Sequence, residues 1–268
     1  MLAERFFSGV VIILVSVVFI LVGGWVFALG ISALLAVAAW EYASLFLKSG
    51  YTPARWTLTI GTFLTSLCAS TQNQTLLELA FGLLITAIVA CHVITYSKHQ
   101  STAGFDLSAS LAGVVFITFI GSFLIRLRFR DLGMLWIAQC IIPAGIADVG
   151  ALLLGSTLGR HKIAPELSPN KTVEGYFGGV FTSVLIGYGL GLYFNGFSPV
   201  FSGWNGLLIG LAVGLISPLG DFAKSIFKRQ FGLKNTGNLI PGHGGVLDRI
   251  DTWLWAGLTG YFIIAFFF

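Results

Sequence analysis

Charge is what this sequence has least of. Only 10% of its 268 residues are Asp, Glu, Lys or Arg, where a soluble domain carries about a quarter. That scarcity excludes a soluble globular domain and a charge-rich disordered chain. The net charge of +4 comes from 15 basic and 11 acidic residues, too few to build a nucleic-acid surface, so no nucleic-acid partner is expected. Cysteine is equally sparse. Cys68, Cys91 and Cys140 fall inside apolar runs without a pairing spacing, which leaves them as small buried hydrophobes and excludes a disulfide framework or a cysteine metal site. An internal repeat is also missing, which weighs against an inverted-repeat transporter.

What is present is apolar. Hydrophobic residues make up 56% of the chain and the mean hydropathy is +0.90. This composition predicts an all-α, polytopic membrane helical bundle. A span needs about 20 apolar residues at a rise of 1.5 Å each. About nine candidates follow on that basis: Phe6–Val22, Trp25–Leu47, Trp56–Ser70, Leu76–Tyr96, Leu107–Ile125, Met134–Leu158, Val173–Phe194, Trp204–Phe227 and Val246–Phe268. The first run is too long for a signal-peptide core and is expected to stay in the mature protein. Gly23-Gly24 alone joins the first pair, and the third span is short enough to re-enter.

With nine spans, Arg5, Lys48, Arg55, Lys98, Arg160, Lys162, Lys171, Lys224, Lys228, Arg229, Lys234 and Arg249 share one side, and Arg126, Arg128 and Arg130 fall on the other. That asymmetry predicts a cytoplasmic N-terminus. The three opposite arginines break the pattern and suit either acidic headgroups of the far leaflet or a span count off by one. Acids are unevenly placed too. Residues 1–130 hold few, among them Glu41, Glu78 and Asp106, and read as a membrane scaffold; residues 131–268 hold Asp148, Asp221, Asp248 and Asp251 with both long polar loops, and read as the catalytic part.

Charge near hydrocarbon is costly, so it marks function. Pro218 and Gly220 precede Asp221, and Asp221, Lys224, Ser225 and Lys228 recur at one helix face. The plain reading of the lysines is snorkelling at a helix end. Gly242-His243-Gly244-Gly245 can present successive backbone N–H groups to a phosphate. Asp248 and Asp251, with Arg249 between them, open the last span. Paired carboxylates there suit a hard divalent cation; the alternative is acids stabilising a helix N-terminus. Asp148 lies deep in an apolar segment and should face a cation or a hydrated cavity. The loop with Gly159-Arg160-His161-Lys162 and Ser168-Pro169-Asn170-Lys171-Thr172-Val173-Glu174-Gly175 offers basic and hydroxyl groups to a nucleotide's phosphates.

At these residues the sequence resembles the CDP-diacylglycerol synthases, the phosphatidate cytidylyltransferases. The resemblance rests on Ser225, Phe227, Lys228, Arg229, Lys234, Gly237, Leu239, Pro241, His243, Gly244, Gly245, Val246, Asp248, Arg249, Ile250 and Asp251. Upstream, Asp148, Gly159-Arg160, Ser168-Pro169, Lys171-Thr172 and Glu174-Gly175 carry it further. One position departs: the family has Lys-Asp where this chain has Lys234-Asn235. Asparagine loses the charge, so either position 235 is not a metal ligand, the reading favoured by the four remaining aspartates, or the activity of this chain is reduced.

The resemblance implies CTP and phosphatidic acid as substrates, CDP-diacylglycerol and pyrophosphate as products, and a place in phospholipid biosynthesis. It implies Mg²⁺ on Asp221 and Asp248, with Asp148 and Asp251 lining or completing the metal site. Four acids leave room for a second cation, K⁺ or another divalent. Asp221, Asp248, Asp251, Lys228 and Arg249 are the expected catalytic group. Ser168, Lys171, Thr172, Arg229, Lys234, His243, Gly244 and Gly245 are expected to hold CTP. A bacterial-type inner (plasma) membrane with a cytoplasm-facing site follows, with lipid or a homodimer partner covering the apolar sides. Two other readings compete, a CTP-dependent lipid or polyprenol kinase and an ion-coupled transporter using the intramembrane aspartates.

Overall fold

The computed structural model describes residues 17–233, 235–237 and 244–268. Helices dominate, as apolar runs in lipid require, because each helix satisfies its own backbone donors and acceptors. After helical residues 17–22 come α1 (Gly24–Leu47), α2 (Arg55–Cys68), α3 (Gln74–Thr95) and α4 (Ala103–Gly113). A π-helical segment at Val114–Phe119 leads into α5 (Ile120–Arg128), and α6 covers Gly133–Leu158. The remaining helices are α7 (Val173–Asn195), α8 (Gly203–Ile216), α9 (Pro218–Gln230) and α10 (Leu247–Phe267).

Seven helical segments among the described residues are long and apolar enough to cross a membrane: Gly24–Leu47, Gln74–Lys98, Ala103–Arg128, Gly133–Leu158, Val173–Asn195, Gly203–Gln230 and Leu247–Phe267. Each overlaps an expected span. The expected first span, Phe6–Val22, lies mostly outside the described residues. The expected third span is a helix of 14 residues, α2, shorter at 1.5 Å per residue than about 30 Å of hydrocarbon, and any tilt would shorten its reach further. The expected eighth span is two helices in sequence. Pro218 cannot donate a backbone hydrogen bond, and the helix breaks at Ser217 and restarts as α9 on Pro218. The Gly23-Gly24 turn has positive φ at both residues, 64° and 52°, a conformation that glycine adopts without strain. One element was not expected. The loop after α6 carries a small antiparallel hairpin, β1 (Lys162–Ala164) and β2 (Ser168–Thr172), with Lys162 opposite Thr172.

The chain forms two compact units, 1–129 with 227–250, and 130–226 with 251–268. In the first unit, Phe27, Leu35, Ala38, Tyr42, Leu58, Ile88 and Ile117 are buried. The Tyr42 hydroxyl donates to the Ala109 carbonyl at 3.1 Å, and its ring packs edge-on against Phe227. The buried Asp106 accepts from the Thr52 amide at 2.7 Å and from the hydroxyls of Thr52 and Thr102. It therefore ties the loop after α1 to the start of α4.

In the second unit, α6, α7 and α8 pack through small residues. A Cβ on Gly179 would meet the Ala147 carbonyl at 2.8 Å. Gly187 and Gly191 of α7 face Gly206 and Gly210 of α8 so closely that backbone touches backbone, the way apolar helices gain contact where lipid supplies no hydrophobic drive. Gln139 of α6 donates to the Gly187 carbonyl at 2.9 Å. Trp136, Cys140, Phe201 and Leu254 fill the core.

The three arginines that broke the charge pattern have partners inside the protein. Arg126 donates to Gln74 at 3.1 Å and Arg128 to the Ile20 carbonyl at 3.1 Å, both in the first unit. In the second, Arg130 lies over the Tyr261 ring.

Candidate active site

Two charged clusters stand out, one in each unit. In the second unit, α9 turns Asp221 and Lys224 to one side, one helical turn apart. Lys224 Nζ lies 3.0 Å from Asp221 Oδ1 and 2.7 Å from Asp251 Oδ2 of α10. Lys224 and Asp251 are nearly sealed from solvent, with side chains 6% and 4% exposed. Asp221 is half-buried, and its other oxygen sits 2.6 Å from Lys171 Nζ at the end of β2. Lys171 also stacks over the Phe222 ring at 4.1 Å. Close approach of α9 to α10 is set by Gly220, where a Cβ would meet Trp255 Cδ1 at 2.7 Å.

Asp148 joins the same unit from α6. Its Oδ2 accepts from the Thr252 hydroxyl at 3.3 Å, one residue beyond Asp251. Asp148 is exposed although it lies in the middle of an apolar helix. The structure thus joins Asp221 and Asp251 through Lys224, sets Lys171 on the other oxygen of Asp221, and places Asp148 against Thr252, the neighbour of Asp251. Lys224 was recognised on the α9 face but not expected among the site residues. Its signal was the i, i+3 spacing from Asp221.

The hairpin loop is held by Glu174. Its carboxylate accepts from the Arg160 amide at 3.0 Å and pairs with His161 Nδ1 at 2.6 Å. Thr172 caps α7, accepting from the Gly175 amide at 3.1 Å, and is buried. Ser168 is half-buried at the start of β2.

In the first unit, Asp248 opens α10. Its Oδ2 accepts from the Thr236 amide and the Thr236 hydroxyl, each at 2.9 Å, and from the Gly245 amide at 3.3 Å. Its Oδ1 faces Lys228 Nζ at 3.2 Å. The glycine loop was expected to offer its amides to a phosphate. In the structure, the Gly245 amide serves Asp248, and the amides of Val246 and Leu247 donate to Glu41 at 3.0 and 2.9 Å. Gly244 takes φ +84°, which glycine supplies. Arg229 and Arg249 are exposed. Lys234 and His243 lie outside the described residues.

Glu41 and Thr236 are what sequence reasoning missed. Glu41 was noticed as an acid in an apolar helix and placed with the scaffold. Its cost in such a helix was the available signal.

The family that this fold serves is shown by comparison. A sequence model described as the cytidylyltransferase family matches residues 3–267. The chain belongs to the cytidylyltransferase family. Within it, the chain is 32% identical to the "Phosphatidate cytidylyltransferase" of Synechocystis sp., over 97% of this chain and 96% of that one. Namesakes from Staphylococcus aureus and Staphylococcus epidermidis are 38% and 32% identical, over 52% and 65% of this chain.

For a cytidylyltransferase the donor set decides whether a metal fits. Among the described residues, no group of three or more His, Cys, Asp or Glu is gathered as a ready-made ion site. In the second unit, however, Asp221 and Asp251 both present carboxylate oxygens to the single ammonium of Lys224. Oxygen donors of this kind fit Mg²⁺, which takes one or two carboxylates and completes its shell with substrate phosphates and water.

Proposed function

We propose that this protein is the integral membrane enzyme that joins CTP and phosphatidic acid to give CDP-diacylglycerol and pyrophosphate. Membership of the cytidylyltransferase family and the near full-length relative of that name support it. The observation that carries the chemistry is the position of Lys224 between Asp221 and Asp251, with Lys171 on the far side of Asp221. Cations and carboxylates are placed side by side on helices that are otherwise apolar, the arrangement needed to hold a polyphosphate at a membrane.

In the reaction, a phosphate oxygen of phosphatidic acid attacks the α-phosphorus of CTP. The bond from that phosphorus to the bridging oxygen breaks in line, and pyrophosphate leaves with the electron pair. The phosphate nucleophile is already anionic, so no serine or cysteine nucleophile is needed. Catalysis is positioning and neutralisation of charge. Lys171 holds phosphate oxygens, and Lys224 keeps Asp221 and Asp251 aimed. Lys228, Arg229, Lys234 and Arg249 supply further positive charge to the nucleotide. Mg²⁺, when bound, neutralises charge on the phosphates, with Asp221, Asp248, Asp148 and Asp251 as the residues to hold it; a second cation, K⁺ or a divalent, is part of the same proposal.

Finer points belong to this reading too. The excess of Lys and Arg on one side supports a cytoplasmic N-terminus and a site open to the cytoplasm of a bacterial-type inner membrane. Nine spans remain the proposal, with α2 as a short, little-tilted third span that the bilayer meets by local thinning. Acyl chains stay between helices in lipid, and a homodimer would cover part of the apolar side surface.

Purified protein in nanodiscs, given CTP, phosphatidic acid and Mg²⁺, tests the reading. Pyrophosphate and CDP-diacylglycerol in equal amounts support it. CDP with a newly phosphorylated lipid would instead indicate a kinase.

A further inference from the structure

We infer that Glu41 is a positioning residue for Asp248, acting through the loop that carries the glycines. Glu41 belongs to α1, is 3% exposed, and lies 205 positions before the backbone that it holds. Its two carboxylate oxygens are divided between adjacent amides. Oε1 accepts from Val246 at 3.0 Å and Oε2 from Leu247 at 2.9 Å. These are donors at the very start of α10, which have no partner within the helix. A negative charge at that end also meets the positive end of the helix dipole.

The same carboxylate reaches the second strand of the loop. Thr236 Oγ1 stands 3.4 Å from Glu41 Oε2 and 2.9 Å from Asp248 Oδ2. Its one proton therefore goes to Asp248, while Glu41 packs behind it. The backbone is shaped to admit Glu41. A Cβ on Gly237 or on Gly245 would collide with the Glu41 carboxylate. So the two segments that grip Asp248 Oδ2, 236 from one side and 245 from the other, are both seated on Glu41. With Oδ2 gripped, Asp248 turns Oδ1 to Lys228. Glu41 thereby fixes which oxygen of Asp248 the loop holds and which faces Lys228.

The role of Asp248 rests on the cytidylyl-transfer reading; the capping itself does not. Glutamine at position 41 is the informative change, because it keeps the shape but turns an NH₂ toward one of two N–H donors. Two measurements on Glu41→Gln in nanodiscs separate the claims. Hydrogen exchange, without CTP, should rise about tenfold or more in a peptide spanning 244–250, while one spanning 133–158 stays as in the wild type. Initial rates should show kcat falling about tenfold or more with KM for CTP within about threefold. Unchanged exchange at 244–250 would overturn the inference. So would a normal kcat.

Should Glu41→Gln exchange throughout, Thr236 decides. Thr236→Ser keeps the hydroxyl and should hold kcat near the wild type; Thr236→Val removes it and should lower kcat about tenfold. Equal rates for the two would overturn the inference. If the wild type itself fails to turn over CTP, the functional reading fails, and the exchange measurement still decides the capping.

Discussion

Lys171 and Asp221 meet at 2.6 Å, the base of a small hairpin against a helix that opens with proline. Neither side chain is sealed, at 28% and 32% exposure, so a phosphate can compete for the lysine. Asp221→Asn should therefore cut the rate of pyrophosphate release by roughly 10²–10³, the usual loss when a preorganised charge is removed from a reacting site. Membrane insertion should stay normal by fractionation. Lys171→Ala should raise KM for CTP more than it lowers kcat, because the lysine binds phosphate in ground and transition states alike.

The buried part of the cluster makes a different prediction. Lys224 is enclosed with Asp251, and removing one partner of such a pair leaves a charge without compensation. Lys224→Met should destabilise the protein by roughly 3–5 kcal/mol, read as a lower midpoint of thermal unfolding in detergent. The double change Lys224→Met with Asp251→Leu should recover much of that stability and remain inactive. Recovery of activity would remove both residues from the site.

The sequence made the membrane architecture legible because apolar length and charge scarcity are one-dimensional signals. Val173–Asn195 and Gly133–Leu158 were readable to within a residue. A kink in the expected span Trp204–Phe227 was readable from Pro218, whose chemistry is local, while its full division into α8 and α9 was not. The hairpin β1–β2 was not readable, because its strands of three and five residues carry no usable period. Asp221 and Lys224 could be paired from their spacing on one helix. The partnership of Glu41 with Val246 and Leu247 could not, since nothing local relates positions 205 apart. What the sequence did hold was the anomaly, an acid within an apolar helix, and physical cost should have given it a partner. Glycine 245 was open to two readings for the same reason. A loop that can wrap a phosphate can equally wrap a carboxylate, and only the fold supplies the second.

Glycine positions give a clean contrast. Gly245→Ala should lower kcat and cost roughly 1–3 kcal/mol in stability, because its Cβ would run into Glu41 and the Thr236 hydroxyl. Gly145→Ala, on α6, meets nothing within 4 Å and should leave unfolding and kcat unchanged. Equal tolerance at both positions would mean that the loop around Asp248 is looser than described.

Position 235 tests the metal assignment. Asn235 stands where the family resemblance leads one to expect aspartate, and Asp148, Asp221, Asp248 and Asp251 are proposed to suffice. Chelation of divalent ions should abolish turnover, and Mg²⁺ should restore it. Asn235→Asp should leave the half-saturating Mg²⁺ concentration within about threefold of the wild type. A large gain in Mg²⁺ affinity would instead make position 235 a ligand site that this chain has lost.

Where the phosphorus atoms of CTP go is the most direct test. Purified protein in nanodiscs is given phosphatidic acid, Mg²⁺ and CTP labelled at either the α- or the γ-phosphorus. Label from the α-position should enter the lipid and label from the γ-position should leave in pyrophosphate. Gamma label found in the lipid, or none from either position, would contradict cytidylyl transfer by this protein.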